Sequence, residues 1–201
     1  MEILVLVALT AFGLHAIKTR EQRRRIALLS SQLGPYQIER LMEKLTEGYL
    51  RCLGEEDAER REQIWRLLDS SEQTLSEQFS RFAERFARVD EAEARVSKLP
   101  LALPFADKLP ARATFDLRQA FAIHAKGIAD AASNVRNQSA KAKAFTMSAE
   151  LFLMQHTCHW FCKSKAVASA RMLARHQTSY LLALDSVAPA TRDAYLSLTR
   201  G

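Results

Sequence analysis

AFTMSAELFLMQHTCHWFC, residues 144–162, is nearly apolar all round. It lies at the centre of a run from Ala113 to Leu184 that holds no proline and one glycine, Gly127. Through this run Leu117, Phe121, His124, Ile128, Ala131, Val135, Gln138, Ala142, Phe145, Ala149, Phe152, His156 and His159 follow one another by alternating steps of four and three. That spacing is one stripe of a long helix, or of two helices in line. Helical throughout, the run would span about 108 Å, and the segment Glu55 to Lys98 before it only about 66 Å. Either the first two helices cover the other half, or the long run breaks. Ser133 to Ser139, its most polar part, is the expected break, because Ser and Asn side chains compete for backbone hydrogen bonds.

The surrounding chain fits this helical reading. Its 201 residues suffice for one domain with a sizeable core. Six Gly and five Pro are few, and good helix formers dominate. No convincing β-branched alternation occurs, so the fold class is read as all-α. The architecture expected is an N-terminal transmembrane helix followed by an antiparallel bundle of long, coiled-coil-like helices.

Met1 to Ile17 reads MEILVLVALTAFGLHAI. As a helix, Ile3 to Ile17 spans about 22 Å against a hydrocarbon core of about 30 Å. Met1, a snorkelling Lys18 and local bilayer thinning extend the reach. A cleaved secretory signal would carry its basic residues before the apolar run; this chain has Glu2 there and Lys18, Arg20, Arg23, Arg24 and Arg25 after it. A buried or interfacial helix of a soluble protein is the competing reading. The positive-inside rule puts the basic side, and with it the bulk of the chain, in the cytoplasm, with a bacterial inner membrane as the expected setting. The same five residues are the candidate membrane-surface group, lying against anionic lipid headgroups. They account for much of the net charge of +6.

Residues 1–17 are thus read as anchor and 18–33 as a basic juxtamembrane helix. Gly34-Pro35 is read as a stop and restart, with Gly at C′ of one helix and Pro at N1 of the next. Residues 34–98 form a helical hairpin arm. Ile38, Leu41, Met42, Leu45, Tyr49 and Cys52 line its first helix. Ile64, Leu68, Ser71, Leu75, Phe79, Phe82, Phe86, Val89, Ala92 and Val96 line the second, which should run to about Lys98. Residues 99–112 contain Leu-Pro three times, and each Pro turns the residue before it away from helix. This stretch reads as an ordered connection, with docking of a partner as its functional alternative. Residues 113–201 carry the long core helix and a short C-terminal one.

The chemistry legible in the sequence is sparse. His156, Cys158, His159 and Cys162 are the one cluster suited to metal, and thiolate with imidazole suits zinc. A single helix cannot close a tetrahedron, so His124, His176 or Cys52 would have to contribute. The spacing matches no zinc finger, and a core segment with satisfied imidazoles is the simpler reading. A phosphate-cradling Gly-rich loop, HExxH and a nucleophile elbow are all missing. No catalytic residue and no resident cofactor are expected. Three cysteines make no disulfide framework.

The function expected is a non-enzymatic, membrane-anchored scaffold or assembly protein acting through protein–protein contacts. Candidate interaction residues are Phe79, Phe82 and Phe86 on the hairpin and Leu103 and Phe105 in the Leu-Pro segment. Self-association is compatible with this reading, and nucleic acid is not the expected partner. Two alternatives stand beside it. One is a metal- or redox-responsive helical protein using residues 156–162. The other is a soluble basic bundle binding anionic polymers.

Overall fold

The tripled Phe ridge and the apolar 144–162 segment meet at the centre of the fold. The computed structural model of the chain describes residues 1–200. Helix accounts for 78% of the chain, and the described sheet consists of two three-residue strands, so the fold class is all-α. The helices are α1 (Glu2–Leu33), α2 (Ile38–Gly54), α3 (Ala58–Phe86), α4 (Glu91–Ala94), α5 (Leu117–Ala132), α6 (Ala140–Cys162), α7 (Lys165–His176), α8 (Tyr180–Ser186) and α9 (Pro189–Thr199). Strand β1 (Arg95–Ser97) pairs antiparallel with β2 (Thr114–Asp116), Val96 opposite Phe115.

α6 is the axis of the bundle, with α1, α2, α5, α7 and α8 all packed against it. Phe79, Phe82 and Phe86 of α3 enclose Phe121 of α5, whose ring lies 5.0 Å from Phe82 and 4.9 Å from Phe86. Phe161 of α6 closes the group against Phe86. All five are fully buried. Burial of each such ring stabilises by about 1.5–3 kcal/mol, with edge-to-face geometry adding to it.

The long run breaks where its polar part lies. Asn134 and Asn137 adopt left-handed φ of 48° and 50°. The Asn134 side chain both accepts from the Gln138 amide and donates to the Gln138 carbonyl. These local bonds replace those a continuous helix would make. The stripe loses its register there. Val135 and Phe145 are exposed, and Ala144, Met147, Leu151 and Met154 take the inward positions of α6. Two further breaks, at Lys163–Ser164 and Gln177–Ser179, carry no Gly or Pro. Ser164 caps α7 by accepting from Val167 N, and Ser179 caps α8 by accepting from Leu182 N.

Four boundaries differ from the sequence reading, one of them at the start of the long run, where β2 occupies Thr114–Asp116 and helix begins only at Leu117. α3 stops at Phe86 rather than near Lys98. Asp90 caps α4 through Ala92 N, and Val96 is buried in the ribbon instead of continuing the helical stripe. Gly34 is right-handed (φ −50°) and is not a left-handed C′ cap. Pro35 precedes the N-cap Gln37 and is not at N1 of α2, which starts at Ile38.

Asp57 is the best-formed cap in the hairpin. Its Oδ1 accepts from both Glu59 N and Arg60 N at 2.9 Å. Asp57→Ala is expected to cost about 1 kcal/mol, measured as a lowered denaturant midpoint with unchanged slope. A loss below about 0.3 kcal/mol would show that the cap does not hold α3.

Candidate functional site

The first half of α1 touches nothing. Met1 to Ala16 are exposed apart from a half-buried Gly13, and the domain takes hold of the helix only from about Glu21. An exposed window with a mean hydropathy of 1.6 is long and apolar enough to cross a membrane.

The basic collar divides by role. Lys18, Arg20 and Arg23 are exposed. Arg25 is half-buried against the domain: its Nε meets Glu21 at 3.0 Å and Nη1 donates to the Phe161 carbonyl at 3.2 Å. Its guanidinium also lies 5.2 Å from the Phe161 ring centre. Arg24 bridges Glu21 and Glu93. Lys163 at the end of α6 donates to Gln22 at 3.0 Å. Burial alone would raise the Glu21 carboxyl, but Arg25 and Arg24 hold it below the ordinary value. Arg25 therefore ties α1 to the bundle, while Arg24 stays exposed and adds only a surface ion pair to Glu93. The Glu21 pairs are local, one turn apart on α1, whereas the Arg25–Phe161 and Lys163–Gln22 bonds join the two ends of the chain and leave no mark in the sequence.

The candidate interaction residues also divide. Phe79, Phe82 and Phe86 are fully buried and pack on Phe121 and Phe161, so none is offered to a partner; the ridge is core. Leu103 and Phe105 are exposed. They lie in a segment whose residues Leu101 to Pro104 share a recess with Lys18, Glu21, Gln22 and Arg25.

His156, Cys158, His159 and Cys162 are held apart. His156 Nε2 pairs with Ser169 Oγ at 3.0 Å, and its ring stacks on Tyr180. His159 Nδ1 faces Arg171 at 3.3 Å. Cys158 Sγ contacts the Met154 sulfur at 3.9 Å. Cys162 lines the recess beside Lys18. Burial pushes both thiols up, Cys162 to about 11, away from the thiolate a metal requires. Among the described residues no three His, Cys, Asp or Glu side chains converge as metal ligands would. His124, His176 and Cys52 are likewise engaged elsewhere, with Thr157, Gln155 and the Arg61 carbonyl.

Two buried polar clusters stand out instead. In one, His124, Thr157 and Tyr195 form a chain across α5, α6 and α9, with links of 2.9 and 2.8 Å. Beside it Glu150, fully buried, accepts from Ala188 N at 3.0 Å through Oε1, while Oε2 is turned toward Thr191 Oγ1. Gly127 makes room for it: a Cβ there would collide with the Glu150 carboxylate and Thr191 Oγ1. The lone glycine of the long run was the one sequence signal of this site. In the other cluster Lys143 reaches Glu72 and Asp69, and Tyr49 donates to Glu72.

No known family matches. A scan against family models finds none, and neither the curated proteins nor the solved structures yield a match. Geometry alone therefore carries the functional reading.

Proposed function

We propose that this protein is a single-pass, membrane-anchored helical scaffold, non-enzymatic, with its bundle on the cytoplasmic side, holding other proteins through exposed faces. One observation carries the reading: the apolar half of α1 projects from the bundle with every large side chain exposed, Ile3, Leu4, Leu6 and Phe12 among them. Soluble proteins rarely leave so long a contiguous apolar surface in water. A bilayer would cover it. The exposed Lys18, Arg20 and Arg23 next to its end support the cytoplasmic orientation. Long antiparallel helices in the α2–α3 hairpin, with alternating three- and four-residue apolar steps, support coiled-coil-like packing.

The full chain is expected to stay in the pellet when membranes are washed with alkaline carbonate. Val7→Arg combined with Ala11→Arg should release it, since each mid-span Arg opposes insertion by about 2.5–3.5 kcal/mol. Both positions are exposed, so the bundle should remain folded. Release of the unaltered chain by carbonate would end the anchor reading.

A further inference from the structure

Leu99, Leu101, Leu103 and Phe105 place four exposed apolar side chains within seven residues, Leu101 at 69% and Phe105 at 49% exposure. Single exposed apolar residues are ordinary; a contiguous patch marks a surface that something covers. We infer that Leu99–Phe105 is a second membrane contact, an apolar wedge seated in the headgroup–acyl boundary of an anionic bilayer beside the foot of α1. The inference rests on the anchor reading.

Leu101 to Pro104 share a recess with Lys18, Glu21, Gln22 and Arg25. Lys18 comes directly after Ile17, the last residue of the apolar run, and Gln22 lies about 7 Å further along the axis. The polar layer on each side of the hydrocarbon core is itself about 5–7 Å thick. A segment at this height meets headgroups. Its apolar side chains are the ones suited to the boundary just below.

The segment is built to hold that surface outward. The Pro100 carbonyl accepts from Ala166 N at the start of α7 at 3.1 Å. Ala106 is fully buried as a pin, and Lys108 N bonds the Phe105 carbonyl at 3.0 Å. Phe105 adopts the left-handed conformation (φ 59°, ψ 46°), which costs a non-glycine residue energy and persists only where the surroundings impose it. A phenylalanine kept there, half out of the fold, does not serve the core.

The charge around the segment also suits a lipid occupant. Lys98, Lys108 and Arg112 flank the segment, and Lys18, Arg20 and Arg23 lie on α1. Lys108 Nζ itself lies over the Phe105 ring, 5.1 Å from its centre, so a cation and an apolar ring stand together on this edge of the fold. Of the nearby acids, Glu21 is engaged by Arg24 and Arg25, Glu93 by Arg24, Glu91 by Arg95 and Arg118, and Asp107 lies within electrostatic reach of Arg24. Apolar insertion joined to basic flanks is the pairing that retains a surface segment on an anionic bilayer.

The test uses the full chain reconstituted into vesicles of phosphatidylcholine with phosphatidylglycerol. A photoreactive diazirine side chain is placed singly at Leu103, at Val7 as a span reference, and at Leu67. Leu67 is exposed on α3, about 28 Å along the axis from Phe86. Crosslinking to lipid is expected from Leu103 and Val7 and not from Leu67. With the diazirine at Phe105, Leu101→Asp is expected to cut lipid capture several-fold with the melting temperature unchanged. Lipid capture at Val7 with none at Leu103 would overturn the wedge and leave the anchor. Failure at Val7 would remove both. Capture of a second copy of the chain at Leu103 would overturn the wedge in favour of a protein interface.

Discussion

Lys143→Met is expected to destabilise the bundle by about 3–5 kcal/mol at neutral pH, because it strands a buried carboxylate. Glu72 is 2% exposed at its side chain, and Lys143 lies 2.5 Å from its Oε2. Tyr49 donates to Oε1 at 2.5 Å. These three side chains join α2, α3 and α6 where the hairpin meets the central helix. Asp69, the other partner at 2.7 Å, is exposed and contributes little. Desolvation alone would lower the Lys143 pKa, yet its bonds to Asp69 and Glu72 keep it above the ordinary lysine value. Burial raises the Glu72 carboxyl against the pull of Lys143 and Tyr49. Without the lysine, Glu72 must take up a proton or stay buried and charged. Glu72→Gln in the Lys143→Met background should therefore recover most of the loss, so the double variant falls well short of the sum of the singles. Urea titrations of the four proteins in mild detergent measure this. A loss under about 1 kcal/mol for Lys143→Met would mean the pair behaves as a surface ion pair, and the account fails.

Much of the scaffold was legible in the residues because it is local. The apolar steps of α2, the Phe ridge as far as Phe86 and the Ser/Asn break at Ser133 to Ser139 each rest on side chains a turn or two apart. The stretch from Ala87 to Ser97 was not legible. Val89, Ala92 and Val96 keep helical spacing, and only the pairing of Val96 with Phe115 across the Leu-Pro loop makes that stretch end in a ribbon. Three-residue strands carry too little alternation to be seen. The breaks after Cys162 and His176 were hidden because serine caps do their work without Gly or Pro. The stripe misled beyond Asn134, since each break resets helical phase and Phe145 turned outward. The His and Cys residues of 156–162 cluster in sequence, but three-dimensional partners send them to Ser169, Arg171 and Met154. The buried Glu150 looked like any polar residue on a helix. Its setting depends on Gly127 and Ala188, which only the fold brings together.

That setting yields the other large effect. Glu150→Gln is expected to stabilise the protein by about 3 kcal/mol at pH 8 and to leave it unchanged near pH 4. Burial raises the Glu150 carboxyl from 4.5 to about 7, against the opposing pull of the Ala188 amide and Thr191. A folded-state pKa above the unfolded one means that the folded state binds the proton more tightly. The contribution is fully present below pH 4.5 and is lost as pH rises through 7; about 2.5 pH units at 1.36 kcal/mol each give the figure. Glutamine keeps an acceptor for Ala188 N and never ionises. His124 and His156 act in the opposite direction over the same range. Burial depresses both from 6.5 to about 3, His124 being held down further by His156 and His156 by Lys165 and His159. Their contribution is complete above pH 6.5 and is lost as pH falls toward 3, by up to about 5 kcal/mol each. At pH 4.5 the pair has therefore lost about 5 kcal/mol while Glu150 has regained about 3, and the unaltered protein should be weaker in acid than at pH 7. The difference between the two proteins isolates the carboxyl, because both carry the same histidines. Denaturant titrations from pH 4 to pH 8 should show that difference opening between 4.5 and 7. A difference that stays constant across the range would mean Glu150 is not buried as a proton-holding acid, and the packing of α9 through Ala188 and Thr191 would need another explanation.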